Sequence, residues 1–163
     1  MTQKGVWDLQ QVRDEYLQGN WGYSGGAYQL WSFGANYHGR LGLNNTLQYS
    51  SPTQIPGNQW STLSAGYRNS FALKNDNTLW SWGYNAGTSG QLGQNNLTYY
   101  SSPVQIPGTR WNSINSSNYH SLATKTDGTL WSWGYNGGQL GLNEAASRSS
   151  PHQIPSQIGR AHV

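Results

Sequence analysis

Seven residues recur three times along this chain and limit what it can fold into. Leu79-Trp80-Ser81-Trp82-Gly83-Tyr84-Asn85 and Leu130-Trp131-Ser132-Trp133-Gly134-Tyr135-Asn136 are identical, and Leu30-Trp31-Ser32-Phe33-Gly34-Ala35-Asn36 departs from them at two positions. A period of about 50 residues marks a tandem array, in which each unit hides its apolar face against the next. In an extended strand the two aromatics of a copy share one face and the serine points the other way. A bulky face beside a small one suits sheets stacked on sheets. Trp80, Trp82, Trp131 and Trp133 are therefore expected to be buried between sheets, with Trp31 and Phe33 as their counterparts in the first copy.

The rest of each unit repeats in the same order. Gly39-Arg40-Leu41-Gly42, Gly90-Gln91-Leu92-Gly93 and Gly138-Gln139-Leu140-Gly141 offer Leu41, Leu92 and Leu140 as buried pegs between glycines that serve positive φ or close backbone approach. All six prolines fall in three copies of a Ser-Ser-Pro-x-Gln-Ile-Pro segment at 50–56, 101–107 and 149–155. Proline cannot donate to a ladder, so these segments read as edge strands or connections. Strand pairs at 60–66 with 69–74 and at 111–117 with 120–125 complete the pattern. Asp127-Gly128, between alternating runs, predicts a primed hairpin turn with positive φ at both residues.

Composition agrees with an all-β class. Only 9% of residues are charged and 34% hydrophobic, with nine Trp and eleven Tyr carrying much of the packing. The exception is residues 1–22, where Asp8 can cap a helix over 9–18, with Gln11 reaching back and Leu9, Val12, Arg13, Tyr16 and Leu17 at helical spacing. The domain reading is a helical docking segment, 1–22, followed by repeats over 23–163. Counted from each Leu, the repeats are 30–78, 79–129 and an incomplete 130–163.

The set Trp111-x-x-Ile114, His120-Ser121-Leu122-Ala123, Asp127-Gly128-Thr129-Leu130-Trp131-Ser132-Trp133-Gly134 and Gly138-Gln139-Leu140-Gly141 resembles the regulator of chromosome condensation repeat family, over about residues 29–155. The resemblance implies a β-propeller with four-stranded blades, usually seven around an axis; this chain has material for about three, a partial propeller. That family's best-known member exchanges guanine nucleotide on a small GTPase. Repeats carry over a scaffold and not a site, and no exchange residues map here. Separately, Gly5-Val6-Trp7-Asp8-Leu9 through Gly19-Asn20-Trp21 loosely resembles a segment of bacteriophage virion and tail proteins.

Several function classes lose ground on the residues alone. The nine basic residues are scattered and the net charge is +3, a weak field for nucleic acid. There is no cysteine, and the apolar runs are too short to span a bilayer. His38, His120, His152 and His162 stand apart from acidic clusters, so no metal or cofactor is expected. Of the six carboxylates, Asp8, Asp14 and Glu15 belong to the N-terminal segment and Asp76 and Asp127 to turns, leaving Glu144, and no nucleophile elbow is present. A noncatalytic protein follows. Tyr37, Tyr84, Tyr99, Tyr100 and Tyr135 fall in or near loops and are candidate surface-binding residues, with capping of the blades as the plainer alternative. The expected function is a virion structural or surface protein that joins copies of itself or other virion proteins and engages host-surface glycan. The alternative is a cellular or extracellular module that binds protein or glycan. An open array leaves uncovered ends, so two or three copies closing a ring are expected.

Overall fold

The computed structural model describes residues 28–85, 87 and 89–155. The expected helix over 9–18, Trp7, Trp21 and His162 lie outside them. The described residues form β1 (Trp31–Gly34), β2 (Tyr49–Gln54), β3 (Trp60–Ala65), β4 (Asn69–Lys74), β5 (Leu79–Gly83), β6 (Tyr100–Gln105), β7 (Trp111–Ser116), β8 (His120–Lys125), β9 (Leu130–Gly134) and β10 (Arg148–Gln153), with a 3-10 turn at Tyr37–Gly39. Antiparallel pairing gives a β1-β2 ribbon and two four-stranded sheets, β3-β4-β5-β6 and β7-β8-β9-β10. The fold is all-β, and each four-stranded sheet has the make-up of a propeller blade.

Sequence chemistry explains the order within a blade. Pro52, Pro103 and Pro151 lie in β2, β6 and β10, the outer edge of each sheet, where a missing N–H leaves no ladder bond unmade. β3 and β7 are the opposite edge, and they meet across the blades: β7 packs on β3 and β4, and the Ser64 and Ser116 hydroxyls lie 3.1 Å apart. Small residues there let the two sheets approach.

The sheets cut the chain at a different phase from repeats counted at Leu. The Trp-x-x-Leu or Trp-x-x-Ile strand precedes the Leu-Trp strand in the same sheet, so 79–129 supplies β5 and β6 to one blade and β7 and β8 to the next. Residues 130–155 supply β9 and β10 to the sheet that also holds β7 and β8. Among the described residues the two-stranded sheet is the first, not the last.

Burial follows that phase. Trp82 and Trp133 are 1% and 0% exposed, packed between sheets with Trp60 and with Phe71 and Trp111 respectively. Trp80 and Trp131 are half-buried, and each is roofed by a lysine: Lys74 Nζ lies 4.4 Å from the Trp80 ring and Lys125 Nζ 4.2 Å from Trp131. Trp31 and Phe33 differ from expectation, being 51% and 64% exposed. Phe33 stands where Trp82 and Trp133 plug into the preceding unit, Trp31 stands at the position of Trp80 and Trp131, and among the described residues no sheet precedes theirs.

The plugs explain the paired glycines. An added Cβ on Gly42 would come within 2.8 Å of Trp82 Nε1, and one on Gly93 within 2.9 Å of Trp133 Nε1. The indoles reach past these glycines to donate to carbonyls of the preceding unit, Trp82 to Arg40 O at 3.0 Å and Trp133 to Gln91 O at 2.9 Å. Ser70 and Ser121 hydroxyls donate to the same two oxygens. Leu41, Leu92 and Leu140 are buried, and their carbonyls accept from Ser32, Ser81 and Ser132. The last residue of each heptad holds the loop in place: buried Asn36, Asn85 and Asn136 accept from the Leu41, Leu92 and Leu140 amides through Oδ1. A loop braced in this way presents its flanking side chains at a fixed place at one end of the sheets.

The turn at Asp127-Gly128 is a correction. Gly128 has φ 82° while Asp127 does not join it in the positive region, and Gly128 N donates to Lys125 O at 3.0 Å with Lys125 N donating to Thr129 O at 2.9 Å. This is a three-residue loop, a type I turn followed by one left-handed residue, in place of a primed two-residue turn. Asn77, φ 63°, takes the glycine's part in the matching β4–β5 turn.

Candidate binding face

Three loops, β1–β2, β3–β4 and β5–β6, converge where the first ribbon meets the second sheet. His38 sits inside the 3-10 turn at φ 61°, the left-handed region that costs a non-glycine residue about 1 kcal/mol. That twist carries its ring to Tyr84 and Tyr99, with centroids 4.9 and 5.1 Å away and both contacts edge-on. Tyr84 and Tyr99 are stacked on each other at 5.0 Å and 24°. Tyr84 leaves β5 immediately after Gly83, held by its N–H on Arg68 O at 2.9 Å.

Two guanidiniums flank this cluster. Arg68 lies over Tyr67 at 5.1 Å and over Tyr84 at 5.3 Å. Arg40 lies over Tyr37 at 5.4 Å and ties the loops together, donating from Nε to Ala35 O at 2.8 Å and from Nη1 to Tyr67 O at 3.1 Å. A cleft of about 520 Å³ opens beside them, lined by Tyr37, His38, Thr46, Tyr99 and Ser101. Partial desolvation in the stack, and then the neighbouring Tyr84, push the Tyr99 phenol above its ordinary value.

Tyr37, Tyr84 and Tyr99 thus come together as one face, and the other two tyrosines do not. Tyr100 is half-buried against the core, its hydroxyl accepting from Asn96 Nδ2 at 2.9 Å. Tyr135 is at the next junction, 6.4 Å from Tyr119. There Gln91 stands in place of Arg40 with its side-chain amide buried and without a hydrogen-bond partner among the described residues, Tyr119 stands in place of Arg68, and Arg148 is paired with Glu144. Sequence reasoning missed Arg40, Arg68 and His38. The signal lay in their departure from the repeat, since the other units carry different chemistry at these positions.

Other candidates have structural duties. His120 Nδ1 is 2.9 Å from the Ser117 hydroxyl and His152 Nδ1 is 2.8 Å from Ser150 O. Asp76 and Asp127 each bind the amide and hydroxyl of the threonine two residues on. Among the described residues no three His or carboxylate side chains cluster as a metal site, and no helix is long and apolar enough to cross a membrane.

Comparison with known proteins agrees with the sheets. The model of the regulator of chromosome condensation repeat matches residues 29–73, 76–124 and 127–163. The chain belongs to this repeat family. It is similar to the ultraviolet-B receptor UVR8 of Arabidopsis thaliana, 30% identical over 81% of this chain and 30% of the relative. It is also similar to the probable E3 ubiquitin-protein ligase HERC6 of Homo sapiens, 31% identical over 81% of this chain and 14% of that protein. The chain therefore spans less than a third of the length of these curated relatives. Among solved structures, Prp20p of Saccharomyces cerevisiae superposes with a TM-score of 0.67 at 22% identity, over 79% of this chain and 34% of that one. Human WBSCR16 superposes with 0.66 at 21%, over 78% and 35%. At these identities the structural likeness establishes the fold, and the family match establishes the repeats.

Proposed function

We propose that this chain is a noncatalytic repeat module that binds a protein partner on the loop end between the first ribbon and the second sheet. The observation that carries this reading is the cluster of exposed Tyr37, Tyr67 and Tyr99 around half-buried Tyr84, interleaved with His38, Arg40 and Arg68. Tyrosine and arginine over-populate protein interfaces because each combines large contact area with a polar handle. Relatives lend support in kind: the structure of Prp20p is described with its binding to Gsp1p and histones, and another captures that protein with Kap60. Those partners are theirs. The carboxylates of Asp76 and Asp127 are engaged in turns, so the described residues offer no acid–base pair for catalysis.

The virion reading rests on residues 5–21 alone. UVR8, HERC6 and Prp20p are proteins of a plant, a human and a yeast, so the repeats favour the module reading over the virion one. A photo-crosslinking residue placed at Tyr67, and in a second variant at Asp76 on the opposite end of the sheet, tests the proposal. In extracts of the producing cells, a discrete protein adduct is expected from position 67, absent from position 76 and lost on Tyr84→Ala. Adducts of equal yield from both ends, or none at position 67, would overturn it.

A further inference from the structure

The cluster beside the cleft carries positive charge that no carboxylate of the described residues pairs. Among the described residues the carboxylates are Asp76, Asp127 and Glu144. Asp76 and Asp127 lie in the β4–β5 and β8–β9 turns, at the far end of the sheets from the cleft, and Glu144 is paired with Arg148. Arg40 gives two of its five donors, on Nε and Nη1, to Ala35 O and Tyr67 O. Arg68 has its guanidinium over Tyr67 and Tyr84 and donates no side-chain hydrogen bond among the described residues. It is exposed, and the two rings hold it in place.

We infer that this face takes an acidic protein segment, one whose Asp or Glu side chain is received by Arg68 with the phenol of Tyr99 in the adjoining stack. A planar guanidinium presents parallel N–H donors in the spacing of a carboxylate's two oxygens, and stacking on tyrosine fixes its plane before the ligand arrives. The alternative ligand for aromatic loops is a sugar, which needs a bare ring face to stack on. Tyr84 is engaged by Tyr99 and by Arg68, so the most central ring has neither face bare, and the exposed guanidinium of Arg68 is the charged donor that the cluster presents. This inference rests on the binding-module reading and adds the charge of the partner.

A fluorescein-labelled poly-L-glutamate peptide of about 15 residues is the probe, with fluorescence anisotropy at low salt, where charge pairing is least screened. The parent chain is expected to bind it saturably. Arg68→Gln should weaken binding about tenfold or more, and Arg68→Lys should recover only part of that loss, because the charge returns without the fork. Arg110→Gln, an exposed arginine on the loop before β7, should change binding less than twofold. The Arg68 main-chain carbonyl holds Tyr84 regardless of side chain, so both Arg68 variants are expected to keep the parent melting temperature. No saturable binding of the peptide, an equal loss in Arg110→Gln, or preferential binding of hyaluronate, an anionic glycan, would overturn the inference. A crosslinked protein partner at position 67 together with failure to bind poly-L-glutamate would retain the module and reject the acidic ligand.

Discussion

Single residues set the turns on which the blades depend. Thr129 donates both its amide, at 3.0 Å, and its hydroxyl, at 2.6 Å, to Asp127 Oδ1, and Thr78 makes the same pair of bonds to Asp76. These threonine bonds, the hydroxyl first, hold both carboxyls below the ordinary value of 3.8. A depressed folded pKa means the ionised form is favoured by the fold. Its contribution is complete above the ordinary value and disappears as pH falls through the depressed one. Asp127→Asn is expected to lower the melting temperature at pH 7 modestly and to flatten its decline between about pH 5 and pH 2, read by thermal melts across pH. An acid limb as steep as the parent's would show that other carboxylates set it. Asp127 was legible as a turn residue from its place before glycine, whereas the turn type was not. The dipeptide fits two hairpin geometries, and the hydroxyl of Thr129 with the ladder bond from Lys125 selects the longer one. The cleft was less legible still, because His38 reaches Tyr84 and Tyr99 only through a left-handed backbone at a position where histidine occurs in no other unit.

Between elements, the recurring Gly-x-Leu-Gly loop acts as a joint. Gly39 and Gly90 are buried, and a Cβ on either would press into the backbone of Ser101 or Ser149 in the next unit. Gly138 is exposed, and an added Cβ there would meet nothing within 4 Å. All three have positive φ, so alanine is strained at each; overpacking adds to that strain only at the first two. Gly90→Ala is expected to destabilise the chain by about 1–3 kcal/mol more than Gly138→Ala, measured by chemical denaturation. Equal costs would mean that the joint relaxes. The glycines and the leucine pegs were readable in the repeat because each fills the same local role in every copy. Exposure of Trp31 and Phe33 was not readable, since burial of a plug depends on the neighbouring unit and a periodic pattern gives every copy the same neighbours.

Across the whole molecule, the two plug-and-socket joints determine how copies of the chain could meet. A head-to-tail contact would bring Phe33 of one copy to Gly138-Gln139-Leu140-Gly141 of the next, as Trp82 and Trp133 meet the equivalent loops within the chain. Those indoles each donate to a main-chain carbonyl, Arg40 O or Gln91 O, and a phenyl ring has no N–H to give to Gln139 O. Leaving a buried acceptor unpaired costs about 1–3 kcal/mol, so self-association through this contact is weaker than the internal joints by that much. Phe33→Trp supplies the missing donor on a strand that otherwise has the same Leu-Trp-Ser pattern. It is expected to strengthen head-to-tail association about tenfold or more, since each 1.4 kcal/mol is a factor of ten. Sedimentation equilibrium at micromolar concentration measures the change. An association constant unaltered by Phe33→Trp would exclude this contact as the one by which copies assemble.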